Sequence, residues 1–219
     1  MLENKVLFIS GSMFGGKSKM LLDLINIVHK DNMSKYLVFK PTKDSRDGLY
    51  VKSRVYNQTV QTLAWDQNYS EMKTIFDYTI AGFSITNPDD DKFIFFDEVH
   101  FLSLDEIKYI TKICKKYNCK LIVAGLETNF MLEYFETSKW LKDKYGSVFF
   151  HGICNRCGEE NAVHNVLYED GQIVSNGNAI RPGNNEYKVY CDECLDTILK
   201  EEIMNEANIW WGFNIFETR

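Results

Sequence analysis

The chain has 219 residues and a mass of 25.6 kDa, a length that suits one main hydrophobic core with a smaller appendage. Its net charge of −6 and pI near 5.3 argue against a dedicated nucleic-acid binder, which needs a basic stripe to displace counterions. The 14% aromatic content with only 3 prolines excludes intrinsic disorder, and the sequence lacks a long apolar run and a secretory signal, so we expect a cytoplasmic protein without a membrane partner.

The first part of the chain alternates short apolar runs with amphipathic segments, a pattern typical of a mostly parallel sheet covered by helices. Strands are predicted at 6–10, 36–39, 93–96 and 121–125. Helices are predicted at 17–29, 70–80 and 104–117, the last of them opened by a capping box of Ser103 and Glu106. Residues 42–57 are polar and are expected to be irregular. We therefore expect an α/β nucleotide-binding core over 1–150.

The pattern changes after residue 150. Residues 151–194 are rich in Gly, Asn and Cys and lack helical periodicity, so we expect them to form a second, smaller domain. Residues 195–219 are predicted to begin as a helix, over 195–208, and to end in an aromatic tail. This tail is expected to pack on the core or on a subunit interface, with binding of a partner as the alternative.

The first predicted strand runs into a glycine-rich segment that matches G-x-x-x-x-G-K-[ST]. Its residues are Gly11, Ser12, Met13, Phe14, Gly15, Gly16, Lys17 and Ser18. Glycines let backbone N–H groups turn towards phosphate oxygens, and the following helix adds the positive end of its dipole. Lys17 is suited to the β- and γ-phosphates and the Ser18 hydroxyl to Mg²⁺. The alternative is a glycine-rich turn that binds nothing.

Two carboxylates, Asp97 and Glu98, follow directly on the apolar strand 93–96. In a phosphate-loop protein the aspartate at this strand end holds Mg²⁺, which leaves Glu98 available as a base. The pair does not fix the reaction, because a glutamate here activates water in an ATPase and accepts a substrate's hydroxyl proton in a kinase. We also predict that His100, close to this pair, contacts the nucleotide.

Four of the six cysteines form two C-x-x-C pairs, namely Cys154, Cys157, Cys191 and Cys194. Two such pairs supply four thiolates for a tetrahedral zinc ion, and a site with no open position is structural. Disulfides or free thiols are the alternative. The residues between the two pairs are expected to form a long loop that the metal ties at both ends. The remaining two, Cys114 and Cys119, are predicted to be buried apolar residues.

Further segments occur in a fixed order along the chain. The first is an F-K-P-x-x-D-x-R motif that begins with Phe39-Lys40-Pro41 and includes Asp44 and Arg46. The other three are residues 96–101, 124–130 and 183–191. Together with the glycine-rich segment and both cysteine pairs, they resemble the zinc-containing thymidine kinase family, the type found in the cytosol and in many bacteria and viruses. The resemblance runs from Val6 to Cys194. The chain departs from the family pattern at His100, Glu127, Asn129 and Pro182.

The resemblance implies a RecA-like core with a zinc-stabilised lasso domain that transfers phosphate from ATP to the 5′-hydroxyl of thymidine, or of deoxyuridine. It implies that Glu98 is the general base and that Arg46 holds the phosphates during transfer. It places the nucleoside among Met13, Phe101, Leu126, Phe130, Phe135, Ile180, Gly183 and Tyr187. Members of the family are typically homotetramers that are inhibited by the end product dTTP.

Two other functions stay open at this point: a RecA-like ATPase that binds nucleic acid through a zinc module, and a non-enzymatic zinc adaptor. Residues 154–194 carry three basic residues against seven acidic ones, which disfavours the first. The intact glycine-rich segment disfavours the second.

Overall fold

The computed structural model describes residues 5–44, 47–52, 58–66, 68–178 and 186–202. Three of the predicted site residues, Arg46, Ile180 and Gly183, lie outside the described residues, as does the aromatic tail. Across the described ranges, no helix combines the length and the apolar character needed to cross a membrane.

Six of the described strands form one parallel sheet at the centre of the core. The strands of the core are, in chain order, β1 (Val6–Gly11), β2 (Ser34–Pro41), β3 (Tyr50–Lys52), β4 (Thr59–Gln61), β5 (Leu63–Trp65), β6 (Asp91–Phe96), β7 (Lys120–Ala124) and β8 (Val148–Phe150). The sheet has the order β5-β2-β6-β7-β1-β8, and each neighbouring pair is parallel. All carboxyl ends therefore meet at one edge, where ligands bind in open α/β sheets.

Helices cover both faces of this sheet. They are α1 (Lys17–Lys30), α2 (Tyr69–Thr86), α3 (Leu104–Lys116) and α4 (Glu136–Tyr145). On one face, α1 buries Leu21 and Ile25 against the central strands together with Val51 of β3. On the other, α2, α3 and α4 bury side chains such as Phe76 and Ile107 in a larger cluster. Strands buried on both faces explain why the runs in β6 and β7 are continuously apolar.

The predicted capping box is present at the start of α3. The Ser103 hydroxyl accepts a hydrogen bond from the Glu106 N–H, and the Glu106 carboxylate accepts one from the Ser103 N–H at 2.7 Å. The other oxygen of the same carboxylate accepts from the Trp65 indole at 2.7 Å. Glu106 therefore caps α3 and holds β5 at the sheet edge, which explains why a glutamate is buried here.

Beyond β8 the chain forms what we call the cysteine lobe, residues 151–178 and 186–202. It contains an antiparallel sheet of β9 (His164–Glu169), β10 (Gln172–Ile173) and β11 (Glu186–Tyr190), followed by a helix at 192–202. The segment between the cysteine pairs is thus built on a small sheet rather than on a simple loop. The β3–β4 hairpin, α4 and β8 are likewise elements that the sequence patterns did not predict.

Candidate active site

The glycine-rich segment joins β1 to α1 at the carboxyl edge of the sheet and packs against the end of β8. A Cβ atom built at Gly11 would lie 2.1 Å from the Phe150 carbonyl oxygen, and one at Gly15 would lie 2.6 Å from it. Gly16 has a positive φ of 92°, a conformation that disfavours any side chain. Each of the three glycines is therefore required by the backbone itself.

Lys17 opens α1 directly after this turn, so its backbone lies at the positive end of the helix dipole. Its side chain is buried and folds back over the loop, where Nζ donates to the Ser12 carbonyl at 2.6 Å. Ser18 follows on the first turn of α1. The segment has the geometry of a phosphate-binding loop: a backbone turn, a helix N-terminus and a lysine above it.

The acidic pair lies at the carboxyl end of β6, and β7 separates this strand from β1. Asp97 is buried, and one of its oxygens accepts the Glu98 N–H at 3.1 Å. Burial, and then the nearby Glu98 carboxylate, raises the pKa of Asp97 to about 8. Glu98 itself has a positive φ of 54°, which is uncommon for a residue with a side chain and turns the chain sharply at the strand end.

A buried ion pair lies beside the acidic residues. Lys40 and Asp44 lie in the F-K-P-x-x-D-x-R segment, with Nζ 3.0 Å from the carboxylate oxygen and both side chains almost fully buried. The same Nζ donates to the Tyr50 carbonyl at 3.2 Å. The Lys40 charge acts against the rise in the Asp97 pKa. The F-K-P-x-x-D-x-R motif contains both residues of this pair, although the resemblance assigns a role only to Arg46.

One cavity connects these features. It is lined by Gly16, Lys17 and Ser18 of the loop, by Asp97 and Glu98, and by Met13 and Leu126. Lys19 also lines it, as do two ion pairs, Lys40 with Asp44 and Lys52 with Asp47. The cavity therefore combines cationic groups and loop N–H groups suited to phosphates, carboxylates suited to a cation or a proton, and apolar side chains suited to a flat ring.

The four cysteines of the two C-x-x-C pairs converge in the cysteine lobe. One ligand atom of each lies within 4.8 Å of the others, and the Sγ atoms of Cys157 and Cys191 are 3.9 Å apart. Four sulfurs at about 2.3 Å from a tetrahedral zinc ion would be separated by roughly 3.8 Å, so the donor set fits zinc. None of the six cysteines, all of which are described, forms a disulfide.

Burial raises the pKa of the Cys194 thiol to about 12, whereas the backbone around Cys154 favours the ionised thiolate. Burial raises the pKa of the Cys154 thiol, but backbone N–H groups that include those of Cys157 and Cys191 more than offset it and hold the pKa at about 6. Cys114 and Cys119 are buried in the main core, as expected for apolar fillers. Burial raises the pKa of both thiols, that of Cys119 to about 11.

The cysteine lobe is hydrogen-bonded directly to the phosphate loop. The Ser12 hydroxyl donates to the Ala162 carbonyl and accepts from the Gly152 N–H, both at 2.9 Å. The Met13 N–H donates to Oδ1 of Asn165 at 2.6 Å. Ser12 and Met13 thus bond the loop to the lobe, while Met13, Phe14 and Gly16 to Ser18 line the cavity.

Comparison with known proteins identifies the family of this chain. The model of the thymidine kinase family matches residues 4–195. The chain belongs to the thymidine kinase family. Thymidine kinases of Pseudothermotoga lettingae and of Enterobacteria phage T4 are 26% and 29% identical to it, over 90% of this chain and 97% of each relative. A thymidine kinase of Francisella tularensis is 30% identical over 80% of this chain and 85% of the relative. Family membership makes the chain a kinase.

One solved structure that superposes on the chain is the cytoplasmic domain of a Type VII secretion ATPase from Thermomonospora curvata. The TM-score is 0.43 at 12% identity, over 85% of this chain and 24% of that one.

Two departures from the thymidine kinase motifs, Glu127 and Asn129, lie in what we call the 125–135 segment. Their side chains make hydrogen bonds and an ion pair that stabilise this segment. The buried Glu127 carboxylate accepts from Ser10 at 2.7 Å and pairs with Lys142 at 2.7 Å. Oδ1 of Asn129 accepts the N–H groups of Met131 and Glu133 at 2.8 and 3.0 Å. Both departures therefore have structural partners within the described chain.

His100 contacts Glu98, which lines the cavity, but His100 is not itself among the lining residues. Its Nδ1 accepts the Leu126 N–H at 3.2 Å and is 3.4 Å from the Glu98 carboxylate. The ring packs between Phe101 and Phe135, with centroids 4.4 and 4.9 Å away. The histidine thus connects the acidic pair with the 125–135 segment, and its contact with nucleotide stays a prediction.

The remaining residues predicted to contact the nucleoside lie at different depths. Phe130 is buried in the 125–135 segment, and Leu126 and Met13 are half-buried at the cavity. Met13 also packs against the core of the cysteine lobe. Tyr187 lies half-buried on β11, paired with Leu167, outside the residues that line the cavity.

Proposed function

We propose that this kinase transfers the γ-phosphate of ATP to the 5′-hydroxyl of thymidine, with deoxyuridine as the alternative acceptor. The names of the relatives support the substrate, and membership in the family supports the reaction class. One observation carries the proposal: the phosphate loop, the acidic pair and the half-buried Met13 and Leu126 line a single cavity. A phosphate donor and a flat apolar acceptor then meet at Glu98.

On the donor side, the N–H groups of Gly15 to Ser18 and the Lys17 ammonium bind the β- and γ-phosphates. Lys17 must leave its contact with the Ser12 carbonyl to do so, and a phosphate oxygen replaces that acceptor. The Ser18 hydroxyl and the Asp97 carboxylate are hard oxygen donors at one cavity, the type that Mg²⁺ prefers. When bound, Mg²⁺ neutralises negative charge on the phosphates. Arg46 is proposed to hold the phosphates during transfer.

On the acceptor side, Glu98 is the proposed general base. Its carboxylate lines the cavity beside Asp97 and is about one-sixth exposed, so it is within reach of a bound hydroxyl. It accepts the 5′-hydroxyl proton as the oxygen attacks the γ-phosphorus, while the bond to the ADP leaving group breaks. The base and sugar are proposed to contact Met13, Phe101, Leu126, Phe130 and Phe135, and beyond them Ile180, Gly183 and Tyr187.

The cysteine lobe is proposed to bind structural zinc and to close over the nucleoside as a lid, because a site without water favours transfer over hydrolysis. Division of the chain at 1–150, 151–194 and 195–219 belongs to the same proposal. So do the homotetramer, inhibition by dTTP and a cytoplasmic location.

A nucleoside panel incubated with ATP, Mg²⁺ and purified protein tests the function. We expect thymidine to be converted to its monophosphate, with deoxyuridine as the second-best acceptor. ATP hydrolysis in the absence of any nucleoside, with no nucleotide product when thymidine is present, would contradict the proposal.

The variant Glu98→Gln tests the base. We expect kcat to fall by about 100-fold or more while the KM for thymidine changes little, since the amide keeps the shape but cannot accept the proton. Glu136→Gln, an exposed carboxylate at the start of α4, is the matched control and should behave as wild type. Near-normal turnover by Glu98→Gln would assign the base to another group.

A further inference from the structure

A buried asparagine of the cysteine lobe bonds two segments of the core at once. Asn165, on β9, is 2% exposed. Its Oδ1 accepts the Met13 N–H of the phosphate loop at 2.6 Å, and its Nδ2 donates to the Thr128 carbonyl of the 125–135 segment at 3.3 Å. One carboxamide therefore joins three parts of the chain that are distant in sequence.

Both partners of Asn165 are backbone groups next to cavity residues. Met13 itself lines the cavity, and Thr128 lies two residues from Leu126, which also lines it. Thr128 is further held by a bridge to Tyr134 across the 125–135 segment. A shift of either backbone group would move a wall of the cavity.

The bonding pattern calls for a short side chain that carries both an acceptor and a donor. The Met13 N–H needs an acceptor and the Thr128 carbonyl needs a donor, and asparagine offers one of each on a short side chain. A buried donor or acceptor that loses its partner bears a desolvation penalty, so the surrounding backbone would shift to recover one.

We propose that Asn165 is a positioning residue that fixes the distance between the phosphate loop and the 125–135 segment, and thereby sets the affinity for the nucleoside. The inference rests on the proposed function for the identity of the ligand. It does not assign Asn165 any contact with substrate.

Other contacts hold the lobe in place when Asn165 is changed. Ser12 remains bonded to Ala162 and Gly152, and the four clustered cysteines are unaffected. A loss at Asn165 should therefore change the cavity without releasing the lobe. This separates a positioning role from a general structural one.

The test compares Asn165→Leu, which removes both hydrogen bonds at similar volume, with Asn165→Asp. Burial favours the neutral form of the new carboxyl group, which keeps a carbonyl acceptor for the Met13 N–H and an O–H donor for the Thr128 carbonyl. We expect Asn165→Leu to raise the KM for thymidine about tenfold with less than a threefold change in kcat, and Asn165→Asp to recover most of that loss. Asn161→Leu, at an exposed lobe position, should match wild type. Metal content and melting temperature are measured for every variant.

Hydrogen exchange at the Met13 amide gives a readout that does not depend on activity. We expect this amide to be protected in wild type and in Asn165→Asp and to exchange faster in Asn165→Leu. Unchanged KM and unchanged exchange in Asn165→Leu would overturn the inference, as would equal losses in both variants accompanied by loss of metal.

Should Asn165→Leu fail to fold, Asn165→Asp and its exchange rate decide alone. If wild type does not phosphorylate thymidine, the proposed function fails, whereas the exchange result still judges the positioning role.

Discussion

At the scale of single residues, the phosphate loop leaves no room for a methyl group at Gly11 and Gly15. Both approach the Phe150 carbonyl so closely that a Cβ atom would overlap backbone atoms of β8, which cannot rotate away as a side chain can. The G-x-x-x-x-G-K-[ST] pattern locates these glycines from sequence alone. The pattern does not reveal that a side chain at these positions would overlap the backbone of the neighbouring strand β8.

Gly15→Ala tests this packing. We expect the loop to shift, ATP affinity to fall at least tenfold and the protein to lose about 1–3 kcal/mol of unfolding free energy, measured by nucleotide titration and by urea denaturation. Gly82→Ala is the matched control: a Cβ there meets nothing within 4 Å on α2, so we expect a gain of about 0.5–1 kcal/mol. ATP binding by Gly15→Ala at wild-type affinity would refute the steric account.

The limits of sequence reasoning also lie at this scale. Lys17, Asp97 and Glu98 were identified because each occupies a fixed offset from a strand end, and local pattern carries that information. Asn165 gave no such signal, because its role depends on Met13 and Thr128, which only the folded chain brings near. Lys40 and Asp44 both belong to the F-K-P-x-x-D-x-R motif, but only the structure shows that they form an ion pair with each other.

At the scale of elements, the capping box of α3 is expected to contribute measurably to stability. Ser103→Ala removes the acceptor for the Glu106 N–H, which should cost about 1 kcal/mol and lower Tm by about 2–4 °C in calorimetry. Asn68→Ala at the N-cap of α2 is the comparison, since its bond to the Glu71 N–H is exposed, whereas that of Ser103 is partly buried, so we expect Asn68→Ala to cost less. A smaller loss of Tm in Ser103→Ala than in Asn68→Ala would contradict this expectation.

Elements with strong local signals were predicted correctly, whereas short or edge elements were not. The strand β6 and the helix α3 carry a continuous apolar run and a capped apolar stripe, which suffice on their own. The strands β5 and β8 have three residues each and form only because a partner strand is present. The sheet of the cysteine lobe likewise depends on pairing between distant segments, as in the register of Tyr187 with Leu167.

At the scale of the whole molecule, the six thiols are expected to fall into two classes. A strong chelator should make the four clustered thiols reactive towards iodoacetamide at pH 8, because metal binding and alkylation compete for the same thiolates. Cys114 and Cys119 should stay unmodified until denaturant is added, since both lie in the main core, where burial excludes the reagent. Peptide mass spectrometry reads each site, and early alkylation of Cys114 would contradict the expectation.

The Phe150 carbonyl has a consequence for how this protein can be rearranged. The same oxygen limits the space at Gly11 and Gly15 and accepts the Ser12 N–H at 3.3 Å, and the chain enters the cysteine lobe at the next residue. A chimera that replaces only the cysteine lobe with that of a relative would also change the backbone next to Phe150. The phosphate loop of this chain would then pack against a junction to which it is not fitted. Recombination between relatives should succeed only when 148–152 and 162–165 are inherited together with 11–15, so these three stretches form a single exchangeable unit.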